Sequence, residues 1–561
     1  MRSIWVKVAA GVLVIVGGGL AYLQFTGTPP GEIVELLGEG GEKILREPMR
    51  PASGGARVLV FALDGVGDEE MRRALGDGTA PNIANLVGLE QGEFGLYANG
   101  YAVPDVLSIL PSTTYAAWSS LFTGEPASRT GIPGNEWFVR EEMKFYAPAP
   151  VSVTENAHAL EVYTDDLVGG ALRVPTVFER ADVRSYVSLS HIYRGADLVT
   201  TPSPTVLGDL VTAAARGLAD AGEVSDEMYA KLDRSSVESL VESIREHGVA
   251  DLQVVYLPGV DLYTHATEHP LEDQREYLRD VIDPAVGEVL RAYREQGALD
   301  GTYVLFVSDH GHTPVLDDAQ HALGTEGSGE PPELIRRVGF RMRPFVLELD
   351  EDEQDYQATV AYQGAMAYVY LADRSTCPEP GSRCDWRRAP RLEEDVLPVA
   401  HAFFEANRTG ALIPELRGTL DLIFAREPRP PGEDALPFQI WDGERLVPIG
   451  EYLAANPRPE LLELESRMEG LAAGPYGHRA GDVLLLSRSG GERQIEERYY
   501  FSDRYRSWHG SPSGQDSRIP LVVARPGSSG AELRERFRLA VGDNPSQLDI
   551  TPLILHLLSP R

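Results

Sequence analysis

Cysteine is nearly absent from the 561 residues: there are two, Cys377 and Cys384, close together in a Pro/Gly-rich stretch. That leaves room for a single loop-closing disulfide, which requires an oxidising compartment; in cytosol the same pair reads as two free thiols. Positive charge is also short. With 51 Lys+Arg against 85 Asp+Glu the formal charge is −34, which disfavours nucleic acid or an anionic lipid surface as a generic partner. Repeats and long low-complexity blocks are lacking, and a composition that is 43% hydrophobic and 24% charged excludes a disordered or collagen-like chain. At roughly 100 to 200 residues per domain the length allows about three or four units, although one large α/β sheet can absorb as much chain.

Long hydrophobic runs are missing except at the start. Arg2 and Lys7 precede an uncharged run from Val8 to Phe25, near the lower limit for a membrane-spanning helix of about 18 residues. The segment 1–25 is a signal anchor, or a signal peptide cleaved near Ala21, and either exports the rest of the chain. The chain is expected outside the cytoplasm, anchored in the membrane and facing the periplasm or cell exterior, or secreted if cleaved. Residues 26–55, with Pro29-Pro30 and several glycines, read as a tether.

Beyond the tether, apolar runs alternate with amphipathic stretches, as in α/β proteins. Three runs end in chemistry. Val58 to Leu63 leads to Asp64-Gly65; Leu252 to Leu257 leads through Pro258-Gly259 to Asp261; Tyr303 to Val307 leads to Ser308-Asp309-His310-Gly311-His312. Each has the apolar, β-branched character of a buried parallel strand, and open α/β sheets place their sites past the carboxyl ends of such strands. Taken singly the signals are weak, since a strand ending in Asp-Gly is also an ordinary turn. Asp261 and His265 share a face if a helix follows Gly259, and His269 would continue it. The stretch from Asp309 to His312 sets two or three metal-type ligands at one strand end, where a cation would relieve them.

The segment Pro111-Ser-Thr-Thr114 opens a helix-forming stretch that runs to Thr123-Gly124. A threonine there is a cap in most proteins, but it also sits where helix N–H groups favour an anion. The ordered set is more informative: strand-Asp, Pro-x-x-Thr at a helix start, Asp-x-x-x-His, strand-Asp-His, then a late His-Gly.

In that set the chain resembles the alkaline phosphatase superfamily, in its type I phosphodiesterase/nucleotide pyrophosphatase branch, over most of residues 57–558. The resemblance implies an α/β fold with an alkaline-phosphatase-like three-layer α/β/α core, a mostly parallel central sheet and an inserted capping subdomain. The core would occupy 56–330 and 471–561, with 331–470 inserted. It also implies two zinc ions, or other divalent metals, held by six side chains, with a threonine attacking phosphorus. By motif position Asp64, Asp309 and His310 hold the zinc that also meets the nucleophile Thr114, and Asp261 and His265 hold the other with a late histidine. His509, in Trp508-His509-Gly510, is the candidate for that place and His478 its rival. Asn135, 21 residues after Thr114, takes the place of a phosphate-binding asparagine. One departure is Thr130, where the family often has histidine before the glycine.

A pair of divalent ions about 4 Å apart activates a poor hydroxyl nucleophile and offsets charge on the leaving oxygen, so the chemistry agrees with the resemblance. A sulfatase needs a Cys-x-Pro-x-Arg motif, and neither Cys377-Pro-Glu nor Cys384-Asp-Trp provides it. The expectation is an exported phosphoric ester hydrolase with a small phosphate ester as substrate and a membrane contact only through the N-terminal segment. A phosphomonoesterase of the same superfamily, or a zinc-stabilised binding module without catalysis, are the alternatives. His191 and Arg194 are read either as substrate contacts or as structural residues, and His556 as a packing residue on an apolar helix. Gly364 to Leu371 is expected to be a core strand within the insertion, and Gly481 to Leu486 to resume the common core.

Overall fold

A computed structural model describes residues 41–93, 95–153, 157–203, 206, 226–324, 330–502 and 505–559. The expected anchor at 1–25 and the first part of the tether lie outside these residues. Among the described residues no helix is long and apolar enough to cross a membrane.

The three apolar runs are neighbouring parallel strands. Arg57–Leu63 lies between Leu252–Leu257 and Thr302–Val307, with Val58 opposite Leu252 on one side and Tyr303 on the other. The whole sheet has eight strands, in the order Glu42–Ile44, Leu198–Thr200, Ser185–Ser188, Leu252–Leu257, Arg57–Leu63, Thr302–Val307, Leu521–Ala524 and Gly100–Ala102. Pairing is parallel from Leu198–Thr200 through Thr302–Val307 and antiparallel at both flanks.

Residues of the central strand alternate between two apolar layers, as the pleat requires. Val58, Val60 and Ala62 pack with Trp118, Phe122 and Ile554, while Leu59, Phe61 and Leu63 pack with Met71, Ile244 and Val286. Helices therefore cover both faces, which makes a three-layer α/β/α core. Because each parallel strand is buried on both sides, it needs an unbroken apolar run, and that is why these strands were legible.

A second, antiparallel sheet has the order Ala358–Gln363, Met366–Leu371, Val483–Ser487, Leu420–Ala425, Gln439–Trp441 and Leu446–Pro448. The helix Thr114–Leu121 is clamped between the two sheets: Tyr115, Trp118 and Leu121 face the central one, Ala116 and Ala117 the second.

The fold corrects three expectations. Gly481 to Leu486 does not resume the common core; its strand lies inside the second sheet, which therefore extends past residue 470. A run apolar on both faces fits any buried position, and only long-range pairing selects the sheet. The tether of 26–55 is also shorter than expected, because Glu42–Ile44 already pairs with Leu198–Thr200 at the sheet edge. His556 is exposed rather than packed. Cys377 and Cys384 form a disulfide with Cα atoms 4.8 Å apart, in the loop after Met366–Leu371.

Candidate metal centre and nucleophile

Parallel registration brings the carboxyl ends of the three strands to one edge. Asp64 leaves its strand into a turn at Gly65 (φ +67°), whose N–H donates to Asp309 Oδ1 at 3.1 Å. A Cβ on Gly65 would lie 2.6 Å from His312 Nε2 and 2.8 Å from Asp261 Oδ1, so only glycine fits this approach. Asp261 occupies the first turn of the helix Gly259–Ala266, and His265 the last turn of the same face, 3.6 Å from Asp261 Oδ1. The helix stops at Ala266, so His269 does not continue that face and is exposed.

Three overlapping buried groups result, and within each the ligand-type atoms lie within 4.8 Å of one another; the third, Asp261, His310 and His312, shares members with the first two. In the first, His310 Nε2 is 3.5 Å from Asp64 Oδ1 and 3.2 Å from Asp309 Oδ2. Both oxygens are buried without a hydrogen-bond partner. The other oxygen of each carboxylate is occupied, by the Tyr256 hydroxyl on Asp64 and by Gly65 N–H on Asp309. In the second, Asp261 Oδ1 faces His265 Nε2 and His509 Nε2, the latter at 3.9 Å. The groups adjoin: His310 Nε2 is 4.0 Å from Asp261 Oδ1, and the His310 and His509 rings stack 3.5 Å apart.

Backbone carbonyls fix the imidazole tautomers. His265, His310 and His509 turn Nδ1 to the carbonyls of Ser507 (2.7 Å), Gly311 (3.1 Å) and Ser112 (3.0 Å). A carbonyl only accepts, so Nδ1 carries the hydrogen and Nε2 presents a lone pair. Burial keeps these rings neutral, pushing His310 down to about 3, His265 to about 4 and His509 well below its ordinary value. Burial and then the neighbouring carboxylates Asp309 and Asp261 hold Asp64 well above the usual range; burial and then Asp261 push Asp309 up to about 8. At Asp261 burial opposes the charge, but His265 and His312 beside it prevail and hold it below the usual range. Asp64 Oδ1 and Asp309 Oδ2 are buried acceptors that no donor answers, and imidazole lone pairs point into the same spaces, which suits divalent cations.

Thr114 begins its helix immediately after the N-cap Thr113, and its Oγ1 lies 3.4 Å from His310 Nε2. Asn135 Oδ1 accepts from Tyr115 N–H at 3.1 Å, so the side-chain amide nitrogen is what Asn135 has left to donate. The Asn135 backbone N–H in turn donates to Gln363 Oε1 at 2.7 Å, and Gln363 Nε2 donates to the Glu136 carbonyl. One residue on, Gly364 (φ +64°) lets the hairpin of the second sheet pass the His509 carbonyl, which a Cβ there would approach to 2.2 Å; Ala365 N–H donates to that carbonyl at 3.1 Å. Sequence reasoning missed Gln363, Tyr256 and Ser507, because their partners lie far away in sequence and no local pattern marks them.

His478 stands apart from these groups, with Nε2 3.4 Å from Glu141 Oε2. Thr130 closes its own turn, donating to the Ala127 carbonyl at 3.4 Å and accepting from Ile132 N–H at 3.3 Å. Arg194 spends its guanidinium on the carbonyls of Gly169, Leu172 and Val174 and on Glu179, so it is a structural clasp rather than a substrate contact. His191 is buried between Tyr115 and Tyr256, with ring centroids 4.4 and 5.3 Å away.

The family model for type I phosphodiesterase/nucleotide pyrophosphatase matches residues 58–413, well over half the chain. The chain belongs to this family. As a family member it is a hydrolase of phosphoric ester bonds. No curated protein matches it. Similar solved structures include murine ectonucleotide pyrophosphatase/phosphodiesterase 5, 14% identical, covering 90% of this chain and 95% of that one with a TM-score of 0.49. The human counterpart is 13% identical, with coverages of 90% and 96% and a TM-score of 0.48. Phosphonoacetate hydrolase from Sinorhizobium meliloti 1021 is 14% identical, with coverages of 91% and 99% and a TM-score of 0.46.

Proposed function

We propose that this type I phosphodiesterase family member is an exported hydrolase of small phosphate esters that acts through a phosphothreonine at a two-zinc site, with diesters or pyrophosphates preferred over monoesters. The observation that carries the proposal is the position of Thr114 Oγ1 beside His310 Nε2, where the first two buried Asp/His groups meet. Asp64, Asp309 and His310 would hold one cation with Thr114 Oγ1, and Asp261, His265 and His509 the other. Bound there, the two ions supply Lewis acidity, easing loss of the threonine proton and offsetting charge on the leaving oxygen.

The chain's own residues do the rest. Thr114 Oγ1 attacks phosphorus, the P–Oγ1 bond forms, and the bond to the leaving oxygen breaks; water then releases phosphate or a monoester and regenerates the hydroxyl. The Thr114 backbone N–H and the Asn135 amide nitrogen would hold the non-bridging oxygens, where negative charge develops. The net charge of the metal site favours an anionic ester: three aspartates oppose the four positive charges of two divalent ions, leaving an excess of one. Export is supported by the Cys377–Cys384 disulfide together with the charged and then apolar N-terminal segment.

The test is hydrolysis of an aryl phosphodiester and the matching monoester by the zinc-loaded protein. Thr114→Ala is expected to lower turnover by roughly three or more orders of magnitude, with unchanged Tm and metal content. Acid quenching should trap phosphate on Thr114. An unaltered rate in the variant would overturn the mechanism, and recovery of the full-length protein in the cytosol with reduced cysteines would overturn export.

A further inference from the structure

We propose that His312 is a positioning residue for the second cation site: it hydrogen-bonds Asp261 and fixes the direction of that carboxylate without itself ligating the cation. The inference rests on the reading of Asp261, His265 and His509 as a metal site.

Four imidazole Nε2 atoms converge on Asp261 Oδ1. His265, His509 and His310 stand 3.6, 3.9 and 4.0 Å away, but His312 is at 2.8 Å. Two ligands on one tetrahedral zinc, each at about 2.0–2.1 Å from the ion, are about 3.3 Å apart. The three wider spacings leave room for an ion between the partners. The spacing of His312 is that of a hydrogen bond. A carboxylate has no hydrogen to give, so His312 donates through Nε2–H, and a nitrogen bearing that hydrogen has no lone pair for a metal.

The far side of the ring is anchored as a positioning residue requires. With Nε2 carrying the ring hydrogen, Nδ1 is an acceptor; Ser507 Oγ, 3.0 Å from it, has one hydrogen to offer to it and to the carbonyl of Thr264, which is 2.8 Å from the same oxygen and lies on the helix that carries Asp261. A closed circuit results, from Asp261 through its helix to Thr264, Ser507, His312 and back. Ser507 serves two histidines, its carbonyl holding His265 Nδ1 and its hydroxyl facing His312 Nδ1. The circuit is braced by the antiparallel pairing of Thr313 with Trp508, one residue beyond His312 and Ser507. Gly65 closes over the pair, since a Cβ there would meet both His312 Nε2 and Asp261 Oδ1.

Zinc titration of the metal-stripped full chain against a competing chelator, and the visible spectrum of the cobalt-loaded protein, test the assignment. The parent chain should take up two equivalents. His312→Ala should weaken one of them about 10–100-fold and spare the other. His312→Gln, whose amide nitrogen can take the place of Nε2, should recover most of the affinity and keep the parent cobalt spectrum. Ser507→Ala, which keeps the imidazole but removes its anchor, should give a smaller loss at the same site, and it decides the matter if alanine at 312 prevents folding. Unchanged affinity in the alanine variants overturns the proposal. A glutamine variant as weak as alanine, with an altered spectrum, overturns it in favour of direct ligation. A parent chain that binds fewer than two equivalents instead sinks the two-metal reading, so the two failures are told apart.

Discussion

Tyr256 donates its phenolic hydrogen to Asp64 Oδ2, leaving Asp64 Oδ1 free to face His310. The strand Leu252–Leu257 thus does more than deliver Asp261: its penultimate residue orients the carboxylate of the neighbouring strand. Tyr256→Phe should weaken the cation held by Asp64, Asp309 and His310 about 10-fold or more and leave the second equivalent unchanged. Chelator competition on the purified variant checks this, and equal losses at both sites would point to general loosening instead.

Metal removal should make stability depend on pH with a definite sign. Asp309 is pushed up to about 8 from an ordinary 3.8. A group raised in this way contributes its full stability below the unfolded value and loses it as pH climbs through the folded one. His310 and His265, held near 3 and 4 against 6.5, work oppositely: their contribution is complete above 6.5 and fades as pH falls. Between about pH 6.5 and 8 the histidines are therefore silent and the carboxylates act alone. The metal-stripped protein should lose Tm across that window, and Asp309→Asn or zinc should flatten the loss. A calorimetric series with and without chelator is the measurement.

Gln363 couples the second sheet to the nucleophile. Replacing it by Leu leaves the Asn135 N–H and the Glu136 carbonyl without their partner. The expected result is a fall in kcat/KM of roughly tenfold or more, the scale of losing the hydrogen bond that positions Asn135, with both metal equivalents retained. Steady-state kinetics beside a metal assay separates this outcome from damage to the metal centre.

The disulfide should matter for stability and not for chemistry. Cys377 and Cys384 are seven residues apart, and opening so short a loop costs about 2–3 kcal/mol. Cys377→Ser with Cys384→Ser should lower the denaturation midpoint accordingly while leaving turnover per folded molecule unchanged.

The parallel strands and the acids at their ends were legible because burial on both faces forces an unbroken apolar run, and the chain must leave such a strand at a turn. His265 was legible because a helical spacing of four ties it to Asp261. The second sheet was harder. Gly481 to Leu486 looked like a core strand and is one, but apolarity on both faces does not say which partner a strand takes. Gln363 and Tyr256 gave no signal at all, since each acts on a residue far away in sequence.

By itself, then, the sequence determined the chemistry-bearing side chains and the strand ends that carry them, because those depend on local periodicity and short spacings. Only the tertiary structure decided that Asp261 Oδ1 sits among four imidazoles, that Ser507 orients two of them, and that a hairpin from another sheet braces Asn135. Those relationships are set by how separate segments pack, and a hydrogen bond across 195 residues, such as that between His312 and Ser507, leaves no trace in the order of the chain.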